Sequence, residues 1–256
     1  MIIEDLVNAL EALAPTRFAE PWDNVGLLIG DAGASLGHVL LTIDLGPEEL
    51  EEASRLGCEA VVAYHPPIFK GVRRLVPGMP AYEAVRAGIA VVSPHTALDV
   101  ARGGTNDALA KDVLGLVNVR PLRPSEEGMG MGRLGELDPP VKCSELLERI
   151  KTKLGVEKLL VAGPREGVVG LAAACAGSCG DLLEDALGKG ARLYLTGEMR
   201  HHDALRAARN GMTVVCVLHS NSERHVLAKL RTSLLEALPG LVVTISTKDA
   251  DPFTIC

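Results

Sequence analysis

HVLLTIDLGPEELEEASRLGCEAVVAY (38–64) contains a complete β-α-β unit. HVLLTID (38–44) is an apolar run of strand length, and EAVVAY (59–64) is a second. Between them PEELEEASRLG (47–57) reads as a helix, with Pro47 in its first turn and Gly57 as its stop. Two strands joined through one helix lie parallel, with helices covering the sheet faces.

The same alternation extends in both directions. Upstream, Ile3, Leu6, Val7, Leu10 and Leu13 recur at helical spacing until Pro15. Downstream come a short helix near 80–87, the strand IAVVS (89–93) and a helix from about Asn106 to Leu114. Pro121, Pro124, Pro139, Pro140 and the glycines at 128, 130 and 132 then predict little regular structure over 120–140, and a lobe boundary there. The pattern restarts with a helix over 144–154, strands near 157–162 and 167–174, a helix near 181–188 and the strand ARLYLT (191–196). A helix over 198–209, the strand MTVVCVL (212–218), a long helix to about Leu238 and the strand LVVTIS (241–246) complete it. The expected fold class is α/β, two linked lobes with mostly parallel sheets.

Composition agrees. Of 256 residues 47% are apolar but only 3% aromatic, so the core is built from Val, Leu, Ile and Ala, as in parallel sheets buried on both faces. The net charge of -7 comes from intermixed acids and bases, which leaves no footprint for direct nucleic-acid binding. Lys70, Arg73 and Arg74 form the one basic cluster, read first as a solvated loop and second as a contact for an anionic substrate. The cysteines at 58, 143, 175, 179, 216 and 256 form no C-x-x-C pair and read as reduced and structural. No run is long enough to span a bilayer and no signal peptide opens the chain, so the expectation is a cytoplasmic protein without membrane contact.

Three polar clusters follow three strands, and open α/β sheets bind ligands at the carboxyl ends of their strands. Tyr64 and His65 stand before Pro66 and Pro67, which force the chain out of the strand. His95 and Asp99 lie in PHTALD (94–99), and His219 and Glu223 in HSNSE (219–223), each pair four residues apart. A single strand-end histidine is most simply hydrogen-bonded structure. Three such clusters together point to His65, Asp99, His219 and Glu223 as ligands of Zn, Fe or Mn, with two ions sharing bridging carboxylates. In TGEMRHHD (196–203), Glu198, His201, His202 and Asp203 read as helix capping and support, with Glu198 the member facing the site. Trp22 and Asn24 in WDNVGLLIG (22–30) read as packing, or as the lining of a substrate cleft.

At these strings the chain resembles the NIF-three-like family, also called the GTP cyclohydrolase I type 2 family. The resemblance runs through WDNVGLLIG, YHPPIF (64–69), SPHTALD (93–99), GGTNDALA (103–110), LTGEMRHHDAL (195–205) and HSNSERHVL (219–227), in the family's order. It implies a toroidal homohexamer whose chains each hold a pair of divalent ions facing an internal cavity. Residue by residue it implies His65, Asp99, His219 and Glu223 as metal ligands, with His95 close by. It also implies a metal-site lobe of 1–120 with 217–256, and a second lobe of 121–216. The expected activity is a metal-dependent hydrolase on a nucleotide-like substrate, with His95 and Glu223 catalytic. The alternative is a non-catalytic regulatory protein that meets transcription regulators. Many bacterial members carry two consecutive histidines where this chain has Tyr64 and His65, so the wording is that of the eukaryotic-type branch.

Overall fold

A computed structural model describes residues 1–254, and Cys256 lies outside the described residues. In chain order the elements are α1 (Ile3–Leu13), β1 (Gly26–Ile29), β2 (His38–Thr42), α2 (Pro47–Leu56), β3 (Ala60–Ala63), α3 (Pro80–Ala87), β4 (Ala90–Ser93), α4 (His95–Val100), α5 (Thr105–Ala108), β5 (Val117–Pro124), β6 (Gly130–Lys142), α6 (Cys143–Leu154), β7 (Leu160–Ala162), β8 (Val168–Cys175), α7 (Leu183–Gly188), β9 (Leu193–Thr196), α8 (His201–Arg209), β10 (Thr213–Cys216), α9 (Val226–Ala237) and β11 (Val242–Ile245). They fall into two compact units, residues 1–98 with 227–250 and residues 99–226 with 251–256.

In the first unit the sheet order is β1-β4-β3-β2-β11. β4, β3, β2 and β11 are parallel, and β1, which the apolar run after Trp22 forms, adds an antiparallel edge. β3 and β4 are buried along their whole length, so they read as unbroken apolar runs. Pro47 at the start of α2 and left-handed Gly57 at its end fix the helix where its sequence places it. Leu40, Val61, Val91 and Ala84 close the core between sheet and helices. Each fully buried Leu or Val there contributes about 1.5–3 kcal/mol. The consequence is positional: the carboxyl ends of β2, β3 and β4 lie side by side.

The second unit's sheet runs β5-β6-β8-β9-β10-β7. Its centre, β8-β9-β10, is parallel, whereas the flanking pairs β5-β6, β6-β8 and β10-β7 are antiparallel. Residues 120–140, expected to be irregular, instead supply most of the hairpin β5-β6. Pro121 and Pro124 are tolerated because β5 is an edge strand, where a missing N–H leaves no ladder bond unmade. Pro139 and Pro140 fall where the β6-β8 register breaks, between Glu136 and Val141. Gly130 (φ +150°) is required, since a Cβ there would meet the Arg123 carbonyl oxygen at 2.2 Å.

The hairpin also carries Arg133, which is 3% exposed. Its Nε pairs with Asp107, and its remaining donors reach the carbonyls of Gly130 (2.8 Å), Gly132 (2.9 Å), Val100 (3.0 Å) and Ala101 (3.1 Å). Burial pushes the Asp107 carboxyl up, but Lys111, Arg133 and the Gly103 N–H outweigh it and bring it to about 2. A carboxylate depressed on folding stabilises fully above its unfolded value near 4, and that stability is lost as pH falls through about 2. A shift of this size corresponds to about 2 kcal/mol. Urea unfolding should therefore show Asp107→Asn less stable than the parent by at least that amount at pH 7, the gap shrinking by more than half at pH 2.5. A gap independent of pH would rule the linkage out.

Candidate metal centre

In the first unit, histidines follow two adjacent parallel strands. His65 comes after β3 in a bend just before Pro66; its Nδ1 lies 2.9 Å from Asp44 Oδ1, a carboxylate at the end of the neighbouring β2. His95 opens α4 with φ +26°, an unfavourable backbone for a residue with a Cβ. Its Nδ1 lies 2.7 Å from Asp23 Oδ1. The other Asp23 oxygen accepts from the Thr96 N–H at 3.1 Å and from the Thr96 hydroxyl. Burial raises the Asp23 carboxyl, but the hydrogen bonds from His95 and Thr96, the His95 charge and the Asn24 N–H prevail, so it sits below the usual carboxylate range. The His65 and His95 rings stand 5.4 Å apart and nearly perpendicular. Tyr64, 1% exposed, packs its ring edgewise against both.

The second unit repeats the device. Gly177, Glu198 and His219 follow the carboxyl ends of parallel β8, β9 and β10. His219 Nδ1 lies 3.2 Å from Glu198 Oε1, and its Nε2 lies 3.4 Å from Glu223 Oε1. Glu223 itself is 3% exposed. Leu218, just before His219, adopts φ +72°, so strained backbone precedes this histidine as it occurs at His95. Gly177 leaves space beside the pair: a Cβ there would stand 3.0 Å from Glu223 Oε1 and 3.4 Å from His219 Nε2. Ser222 ties the two loops, accepting from the Gly177 N–H (2.8 Å) and donating to the His219 carbonyl (2.6 Å). Asp99, 8% exposed, is fixed through its backbone, because buried Asn106 donates to its carbonyl (3.0 Å) and accepts from the Ala176 N–H (2.8 Å).

A carboxylate on Nδ1 places the ring proton there and the lone pair on Nε2, the arrangement in which histidines ligate cations. All three strand-end histidines have it, through Asp44, Asp23 and Glu198. Of the expected residues, His65 and His95 come together in the first unit, and His219 and Glu223 in the second. The sequence reading missed Asp44 and Asp23. The strand-end rule applied to HVLLTID would have found Asp44, whereas Asp23 sits in a turn with no such marker. His201 and His202 are exposed at the start of α8, and the helix cap at Arg200 uses no side chain, so the expected capping role is not what this segment does.

Cys58, Cys175 and Cys216 take no part as thiolates. Burial and the charge of Glu198 push Cys216 up to about 11, and burial with Glu59 and Glu52 does the same to Cys58. Cys175 is raised well above the ordinary thiol range by burial and by Cys179 beside it. Cys58, Cys143, Cys175, Cys179 and Cys216 are free of disulfides. No helix among the described residues is long and apolar enough to cross a membrane.

Fold and site together define an α/β protein with carboxylate-backed histidines at the ends of parallel strands. The chain belongs to the Duf34/NIF3 (NGG1p interacting factor 3) family, whose profile matches residues 1–252. It is 35% identical to the protein NIF3 homolog of Schizosaccharomyces pombe, over 99% of this chain and 98% of that one. It is 32% identical to the GTP cyclohydrolase 1 type 2 homolog of Clostridium perfringens, over 99% of both. The crystal structure of a Staphylococcus aureus hypothetical protein superposes with a TM-score of 0.92 at 27% identity, over 100% of this chain and 99% of that one.

Proposed function

We propose that the protein is a divalent-metal-dependent hydrolase acting on a nucleotide-like substrate, with His65, Asp99, His219 and Glu223 as ligands. The carrying observation is that each strand-end histidine has a carboxylate on Nδ1, which leaves Nε2 as the nitrogen that can ligate a cation. The donor set fits: in the second unit His219 and buried Glu223 bring an imidazole and a carboxylate together, with Gly177 keeping the space beside them clear, and in the first unit His65 offers an imidazole backed by Asp44. Mixed nitrogen and oxygen donors suit Zn, Fe or Mn, and bridging by Asp99 or Glu223 would accommodate two ions. When bound, such ions supply Lewis acidity and a more acidic water.

The chain's own residues would do the rest. Glu223 orients the attacking water with one carboxylate oxygen. His95 takes up a proton at Nε2, and Asp23 steadies the resulting imidazolium through Nδ1. The substrate class follows the name of the Clostridium relative, and GTP ring opening is the first reaction to try. A homohexamer belongs to the same reading. The family's description as an NGG1p interacting factor favours a second one, in which the same site holds metal for docking to a transcription regulator.

Elemental analysis of protein purified without added metal, followed by turnover assays on a nucleotide panel, tests the proposal. Two ions per chain and GTP turnover are expected in the parent. In Asp99→Ala, loss of at least one ion and a drop in turnover of about a hundredfold or more are expected. Bound metal with no turnover on any nucleotide would reject the hydrolase and leave the docking protein. Absence of metal would reject both.

A further inference from the structure

The chain has one tryptophan and three phenylalanines, and one of each stands in the open beside His95. Trp22 is 57% exposed and Phe69 42%, with ring centroids 5.6 Å apart. Both rings approach the His95 imidazole, Trp22 at 6.1 Å and Phe69 at 6.3 Å, edge to face. Leaving large aromatic surface in water forgoes the stabilisation of burial, so such a pair needs a use outside the core.

The pair is also held in place. Asn24 Nδ2 donates to the Ile68 carbonyl at 2.5 Å, joining the turn that carries Trp22 to the loop that carries Phe69. The Glu20 N–H donates to Thr96 Oγ1 at 3.0 Å, and Asp23 bonds His95 and Thr96, so the turn is pinned to α4 on both sides of Trp22. Rings fixed in this way lose little freedom when a ligand stacks on them.

The next stretch adds charge of one sign. From His65 to Tyr82 the chain carries Lys70, Arg73 and Arg74 and no acidic residue, although the whole protein has a net charge of -7. All three cations are exposed, on a loop that begins at Phe69. An open aromatic surface next to a cationic loop matches a planar ring that bears phosphate.

We propose that Trp22 and Phe69 form the platform on which the heteroaromatic base of a nucleotide stacks beside His95, with Lys70, Arg73 and Arg74 meeting its phosphates. This deepens the hydrolase reading and rests on it for placing the reaction at His95. Stacking itself needs neither metal nor turnover. Base selection is loose on such a platform, since every base has a π face. The phosphates provide most of the preference for a nucleotide over a nucleoside.

Because Trp22 is the only tryptophan, its emission reads the platform directly. The experiment titrates EDTA-treated protein with GTP, guanosine and inorganic triphosphate. GTP should quench Trp22 saturably, guanosine should do so about tenfold more weakly, and triphosphate should bind without quenching. Phe69→Ala should weaken GTP by about tenfold. The triple change Lys70→Ala, Arg73→Ala and Arg74→Ala should make GTP and guanosine equal. Circular dichroism and mass measured in solution accompany each variant. No quenching by GTP in the parent, or unchanged affinity in folded Phe69→Ala, overturns the proposal. So does a Phe69→Ala variant that loses oligomeric mass while retaining GTP affinity, since the platform is then an interface between copies. Metal content, measured separately, reports on the hydrolase reading: quenching without metal keeps the platform and rejects the hydrolase, and metal without quenching does the reverse.

Discussion

Arg133→Ala is expected to lower the stability of the second unit by about 3–5 kcal/mol. The change does more than delete an ion pair. It leaves Asp107 buried with only Lys111 as a cationic partner, and it strips donors from four carbonyls, at Val100, Ala101, Gly130 and Gly132. The Lys111 side chain is 48% exposed, so its bond to Asp107 is screened by water, and Lys111→Ala should cost less than about 1 kcal/mol. The contrast between the two variants is the test, read as urea midpoints at pH 7. Equal costs would show that the buried guanidinium is not the keystone of this corner. The Val100 and Ala101 carbonyls end the helix that carries Asp99, so the Arg133 variant should also weaken metal binding, whereas Lys111→Ala should not.

The repeating β-α-β pattern was legible because buried parallel strands leave unbroken apolar runs and the helices between them end at Gly57 and Gly88 in left-handed caps. The hairpin over 117–142 was not. Proline is a strand breaker by rule, yet an edge strand accepts it, and nothing in the string shows that this strand will be an edge. Arg133 was equally opaque, since a buried arginine is defined by partners far away in sequence. The histidines of the candidate site were legible from their places after strands. Their supporting carboxylates divide into two kinds. Asp44 and Glu198 follow strands and obey the same rule as the histidines, but Asp23 gains its role only because its turn packs on α4, a tertiary fact that no local pattern encodes.

That dependence gives Asp23→Asn its expected effect, a fall in turnover of about 10²–10⁴ with little change in fold. The substitution keeps shape and removes one oxygen. Thr96 presents two donors, its N–H and its hydroxyl, to one side of the Asp23 carboxylate. The asparagine carbonyl must face those donors, because the reverse orientation would set N–H against N–H. Its amide nitrogen then points at His95 Nδ1 and donates to it. The imidazole proton moves to Nε2, and the lone pair required for taking up a proton or holding a cation is lost from the side where the chemistry is placed. Nitrogen NMR of the imidazoles reads this directly: His95 should change from the Nδ1–H to the Nε2–H tautomer while His65 and His219, backed by Asp44 and Glu198, remain as they were. An unchanged His95 tautomer, or full turnover in a variant whose tautomer has switched, would show that Asp23 supports the α4 turn and not the reaction.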